Sequence, residues 1–281
     1  MAVDLPNNSC LTLLRDLDRD RYIACLLSPA DKREALASLY CFNAEIARIR
    51  DVTREILPGE MRLQWWRDVL NGQSKGDANA HPVAGPLLQT IADFALPLQP
   101  FLDLIDARTF DLYDDSFDTM NSLEGYAGET ASALIQLASL ILTPELAAAH
   151  AHLAGHAGVA QAMAGILLLF PIHRARGQLF IPLEILSAVG LSRDAFLAGE
   201  DKEKIGNALK IFASKALEHL ELTRQSSFPD QLMPAYLPVS LAKPVLNRAL
   251  ASGAHVFDKP IELGLLRRHW LILASNLRKS L

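Results

Sequence analysis

Cysteine is scarce in this chain: three residues, Cys10, Cys25 and Cys41, with no CxxC pair among them. That spacing offers neither a disulfide framework nor a zinc knuckle, and reads as a reduced, cytosolic pattern. Basic charge is short as well. Lys and Arg number 27 against 32 Asp and Glu, a net charge of −5, so no overall positive field exists to gather nucleic acid. The most apolar runs, residues 131–142 and 158–170, are shorter than the roughly 18 residues a membrane-crossing helix needs. The opening MAVDLPNNSC has no basic stretch followed by an apolar one, so no signal peptide is expected. No alternating run of β-branched residues is long enough for a sheet, and no repeat of about 20 to 50 residues is evident. These absences leave a soluble, cytoplasmic, all-α protein with room for peripheral membrane contact.

What is present is ample core material. Half of the 281 residues are hydrophobic, and mean hydropathy is +0.15. The expected fold is one domain over residues 1–281, with about ten helices and residues 1–17 loosely held. The chain is organised around residues 36–70. A long helix is expected to run to about Ile56, with a break at Pro58-Gly59 and a second helix over 61–70. Leu39, Phe42, Ile46, Ile49 and Ile56 recur at helical spacing and mark a buried face. Asn43, Ala47, Arg50, Asp51 and Arg54 fall on another face. Trp65 and Trp66 read as core packing beside Leu63, Val69 and Leu70.

Three further features have two readings each. Asp103, Asp106, Asp111, Asp114, Asp115 and Asp118 suit a hard divalent cation, or are a solvated acidic helix and loop. His152 and His156 are four apart and could share a metal. With no acidic or cysteine partner nearby in sequence, they also read, like His150, as surface or packed histidines. Gly155, Gly158 and Gly165 lie inside a helical stretch, which implies close packing or a bend.

Four segments carry a family resemblance: LYCFNAEIARIRD (39–51), RLQWWRDVL (62–70), LEGYAGETAS (123–132) and GVAQAMAGILLLFPIHRARGQLFIP (158–182). In order and spacing they resemble the squalene and phytoene synthases, over about residues 18–274. The resemblance implies an isoprenoid-synthase-like helical fold around a central apolar cavity, lined here by Phe42, Tyr126, Gly165 and Phe180. Active members join two prenyl diphosphates head to head, on magnesium held by two DxxxD motifs. The first motif falls on Ala47 to Asp51. The second lies in a pattern GxAxQxxNxxRDxxxDxxRGRxYxP. Gly158, Ala160, Arg176, Gly177 and Pro182 match it. The family's Gln, Asn, Arg and two Asp fall on Ala162, Gly165, Leu168, Leu169 and His173.

Of four metal-collecting carboxylates only Asp51 remains, so no catalytic residue, no metal site and no cofactor are expected. The degraded motifs become candidate ligand-binding positions: Asn43, Ala47, Arg48, Arg50 and Asp51 in the first, and Leu169, His173, Arg174 and Arg176 in the second. Arginine grips phosphate oxygens without metal. The expected ligand is therefore an anionic, apolar-tailed one, a prenyl diphosphate or a lipid, on Arg48, Arg50 and Arg176. The other reading pairs these arginines with Glu45, Asp51 and Glu55. FNAEIARIRD and RLQWWRD further resemble a branch with degraded motifs that includes an assembly factor for respiratory complex I. That branch implies respiratory-chain subunits as partners. The alternative is a magnesium-dependent prenyl transferase in which Asp111, Asp114, Asp115 or Asp118 replaces the lost acids.

Overall fold

The computed structural model describes residues 9–53, 55–113, 115–225, 228–257 and 261–281. Arg54 and Asp114, both named above, lie outside them. No strand occurs among the described residues, in keeping with the all-α expectation. In chain order the α-helices are α1 (Cys10–Leu17), α2 (Arg19–Leu26), α3 (Arg33–Ala47), α4 (Ile49–Val52), α5 (Ile56–Leu70), α6 (Ala84–Asp93) and α7 (Gln99–Thr109). Then come α8 (Met120–Ala127), α9 (Ala133–Leu142), α10 (Pro144–Ala149), α11 (Ala151–Leu168), α12 (Phe170–Ala175), α13 (Leu183–Ala188) and α14 (Arg193–Ala198). The last four are α15 (Lys202–Gln225), α16 (Met233–Tyr236), α17 (Ala242–Ser252) and α18 (Leu265–Arg278).

These helices gather into two compact units. The first takes the described residues of Met1–Tyr113, Ala133–Ala151 and Pro229–Leu237; the second takes those of Asp114–Ser132, His152–Phe228 and Pro238–Leu281. No linker composition marks the division, because each unit is assembled from three separated segments.

In the first unit α3 is the hub, with α1, α2, α6, α7 and α9 packed around it. Eleven of its fifteen residues are buried, the condition of a helix enclosed on all sides. The expected polar face is therefore not solvated along its length: Asn43 is buried, and Ser38 hydrogen-bonds Ala35 O at 2.9 Å and Thr90 Oγ1 at 2.9 Å. Residues 10–17, expected to be loosely held, instead form α1. Ser9 caps it by accepting from the Thr12 N–H at 3.2 Å, and Cys10, Leu11 and Leu14 bury themselves. Apolar burial outweighs the ordering entropy that a terminal segment otherwise keeps. All three cysteines are free and buried; burial pushes the Cys25 thiol well up, and a hydrogen bond with Cys10 together with burial does the same to Cys41, which makes both poor nucleophiles.

Two boundaries differ from the sequence reading. The long helix does not reach Ile56. It stops at Ala47, turns at Arg48, makes one short helix, α4, and becomes extended at Thr53. The β-branched Ile49, Val52 and Thr53 favour helix weakly. Pro58-Gly59 breaks nothing: α5 starts at Ile56, so Pro58 sits in its first turn, where backbone N–H groups lack intrahelical partners anyway. Gly59 serves close approach. A Cβ there would stand 2.7 Å from Leu112 Cδ2.

In the second unit α15 runs for 24 residues and packs against α13, α17 and the turn Gly253–Phe257. The single helix expected over 123–142 is interrupted by a π turn, Gly128–Ser132. Helix α11 spans 18 residues, longer than the apolar run that seeded it, and by length and composition could cross a membrane. Over half of it is buried within the protein, as in the core helix of a globular unit.

Candidate functional site

The first degraded motif lies at the end of α3 and on α4. Asn43 is buried, Ala47 half-buried, Arg48 and Asp51 exposed. Arg50 is half-buried and directs Nη1 to Thr53 O at 3.5 Å. The turn at Arg48 separates Ala47 from Asp51, so the two no longer share one continuous helix. Phe42, expected on a cavity wall, is 0% exposed and packed edge-on against Trp66 at 5.0 Å and against Phe101 at 5.7 Å.

A groove of about 420 Å³ opens on the same unit, walled by Glu45, Arg48, Arg62, Trp65, Trp66 and His81 among others. Trp66 packs inward while Trp65 is half-exposed on the groove, which corrects the reading of both as core. Neighbours on a helix point about 100° apart, so an adjacent tryptophan pair already signals that one faces elsewhere. The His81 ring lies tilted against Trp65 at 4.9 Å and edge-on to Trp66 at 5.7 Å. Its Nδ1 accepts from the Val83 and Ala84 N–H groups, both at 3.2 Å. The ring proton therefore sits on Nε2, which faces Glu45 Oε2 at 4.0 Å. Burial lowers His81. Burial pushes the Glu45 carboxyl up to about 7, against the opposing pull of Arg62.

That displacement has a stability consequence. The folded chain holds a proton on Glu45 that the unfolded chain, at the ordinary value 4.5, has already released. Stability from this group is complete below pH 4.5 and is lost as pH rises through about 7. Glu45→Gln is expected to leave stability unchanged near pH 4.5 and to raise it above pH 7. The gain is ~1–2 kcal/mol, discounted because the side chain is partly solvent-screened. Melting temperature against pH for both proteins checks this; a difference constant across the range would sink it.

The second degraded motif occupies the junction of α11 and α12. Leu169, at the break, is 45% exposed. Arg174 is engaged structurally: Nε donates to Leu197 O at 2.7 Å, Nη2 to Ala198 O at 3.2 Å, and the guanidinium lies over Phe257 at 4.6 Å. It satisfies carbonyls at the C-terminus of α14. Arg176 caps α12 and is half-buried. Gly177 then takes φ +72°, a conformation suited to glycine, and its carbonyl accepts from Arg193 Nη2 at 2.7 Å. His173 stacks on Phe180 at 4.6 Å. Phe180 meets Phe117 at 6.2 Å, and Phe117 meets Tyr126 at 5.4 Å. The fold thus joins His173, Phe180 and Tyr126 through Phe117, a residue the sequence did not single out. Gly165 has open space where a Cβ would stand.

Three of the aspartates are paired. Asp106 meets Arg67 Nη2 at 2.5 Å, Asp111 meets Arg108 at 2.9 Å, and Asp103 accepts from Gln99 at 2.7 Å. Asp115 and Asp118 are exposed. His156 faces His219 of α15, with Nδ1 atoms 3.0 Å apart, and His219 Nε2 lies 3.4 Å from Glu124. The acidic partner missing from the local sequence comes from another helix. Among the described residues no three His, Cys, Asp or Glu side chains converge as a metal site.

Comparison with known proteins adds the following. The profile described as squalene/phytoene synthase matches residues 14–268. A mouse protein, "NADH dehydrogenase (ubiquinone) complex I, assembly factor 6", is 32% identical over 256 residues, 90% of this chain and 76% of that protein. The 15-cis-phytoene synthase of Synechocystis is 23% identical, over 85% of this chain and 74% of that one. A dehydrosqualene synthase crystal structure superposes with a TM-score of 0.80 at 18% identity, covering 96% of each chain.

Proposed function

We propose, on the premise that this chain belongs to the squalene/phytoene synthase family, that it is a non-catalytic member acting in assembly of the respiratory NADH dehydrogenase. One observation carries this reading: 32% identity over 90% of the chain to a complex I assembly factor, against 23% to a phytoene synthase. The donor set supports it. At the four positions where the family gathers magnesium stand Ala47, Asp51, Leu169 and His173. Magnesium takes hard oxygen ligands in a near-octahedral shell. A methyl group, an isobutyl group and an imidazole do not supply that shell, and these residues do not fit the ion. Among the acids that could stand in, Asp111 is held by Arg108.

In the first unit the ligand reading rests on Arg48, beside the groove walled by Trp65 and His81, with an anionic, apolar-tailed molecule as the ligand class. Calorimetry with farnesyl diphosphate is expected to give the same affinity in EDTA as in Mg²⁺. Binding that requires Mg²⁺ overturns the metal-free reading. Incubation with labelled farnesyl or geranylgeranyl diphosphate, Mg²⁺ and reductant is expected to yield no condensed polyprene; any such product restores the prenyl transferase alternative. Deleting the gene in its host is expected to deplete assembled NADH dehydrogenase on native gels, and an unchanged level overturns the assembly role.

A further inference from the structure

Helix α18 has two unlike faces. Ile272 and Ser275 are buried. A second stripe is apolar and open to solvent: Leu266 is 85% exposed, Trp270 60%, Leu273 44% and Leu277 83%. Their spacing of four, three and four residues places them on one side of the helix. The charged side chains along this segment have one sign. From Gly264 to Leu281 the chain carries Arg267, Arg268, Arg278 and Lys279 and no Asp or Glu, within a protein of net charge −5. The cations stand near the two ends of the helix, with Trp270, Leu273 and Leu277 between them.

We propose that this face of α18 docks on a membrane surface rich in anionic lipid and lies in the interface without crossing it. Fourteen residues make a helix about 21 Å long, short of the ~30 Å hydrocarbon thickness. The three leucines fill the acyl boundary and Trp270 sits at headgroup level, where an indole keeps both an apolar and a polar contact. Arg267, Arg278 and Lys279 reach lipid phosphates from the rim while their stems cover apolar surface. A second copy of the chain suits the stripe poorly. Two-fold pairing of this face would set cation against cation in either helix direction.

The test uses the full chain and two vesicle types, phosphatidylcholine alone and phosphatidylcholine with phosphatidylglycerol. Co-sedimentation with the anionic vesicles is expected to be at least about tenfold stronger. A blue shift of tryptophan emission should accompany it and vanish in Trp270→Phe. Leu266→Ser with Trp270→Ser should weaken binding at least about tenfold. The triple change Arg267→Gln, Arg278→Gln, Lys279→Gln should erase the preference for anionic vesicles. All five positions are exposed, so circular dichroism and melting temperature should match the parent. Absence of binding, equal binding to both vesicles, or binding unchanged in the serine variant overturns the proposal. So does a concentration-dependent dimer that the serine variant abolishes in the absence of lipid, since that assigns the stripe to a second copy.

Discussion

Gly158→Ala is expected to destabilise the second unit by about 3 kcal/mol, whereas Gly155→Ala, one turn earlier on α11, stabilises it by up to ~1 kcal/mol. The two glycines look alike in sequence and differ in what faces them. A Cβ on Gly158 would stand 2.3 Å from both Ser132 N and Ser132 Oγ and 2.4 Å from Ser132 Cα. Two of those three atoms are backbone and cannot swing aside, so the helix must shift away from Ser132. The shift also strains the Ser132 Oγ bond to Gly155 O, 2.9 Å long, worth ~1 kcal/mol when intact. Around Gly155 nothing lies within 4 Å of the added atom, so alanine there only removes the entropic penalty of glycine in a helix. Thermal unfolding of the two variants separates them. A loss of 3 kcal/mol corresponds to a fall of roughly 6–12 °C in a chain of this size. Equal shifts in one direction would show that contact with Ser132 does not set the position of α11.

The glycines illustrate what the sequence can and cannot disclose. Helical periodicity and the missing strand pattern are local, so the all-α class was legible, and the order of four segments carried the fold. That Ala47, Leu169 and His173 carry no carboxylate is read from identity alone. What stayed hidden depended on partners distant in the chain. The carbonyls that Arg174 serves, Leu197 and Ala198, belong to another helix. The His156–His219–Glu124 contact joins three helices. Glu45 and His81 meet only because α3 and the loop before α6 come together beside Trp65. The π turn at Gly128–Ser132 adds a residue to a helix without altering its apolar composition, which periodicity over one turn does not reveal. Gly158 and Gly155 were both legible as exceptions to helix propensity; which of them packs closely was not.

Phe42→Ala is expected to lower the stability of the first unit by about 4 kcal/mol. The side chain is 0% exposed and lies in a cluster with Trp66, met edge-on at 5.0 Å with planes at 75°, and Phe101, met at 5.7 Å. These rings come from α3, α5 and α7, so truncation loosens the contact of the hub with two of its neighbours. Cavity formation on removing a buried phenyl ring accounts for ~3–5 kcal/mol, within which lost edge-to-face contacts amount to ~0.5–1.5 kcal/mol per pair. Phe42→Leu, which refills part of the volume, should lose ~1–2 kcal/mol. The comparison tests two assignments of one residue. A phenylalanine on the wall of an open ligand chamber would leave stability nearly intact when truncated and would change ligand affinity instead. A phenylalanine packed between helices does the reverse. Urea unfolding followed by tryptophan emission reads the first quantity, and calorimetry with farnesyl diphosphate reads the second. A stability loss below ~1 kcal/mol in Phe42→Ala, coupled to altered affinity, would return the residue to a cavity wall and imply that the aromatic cluster opens in solution.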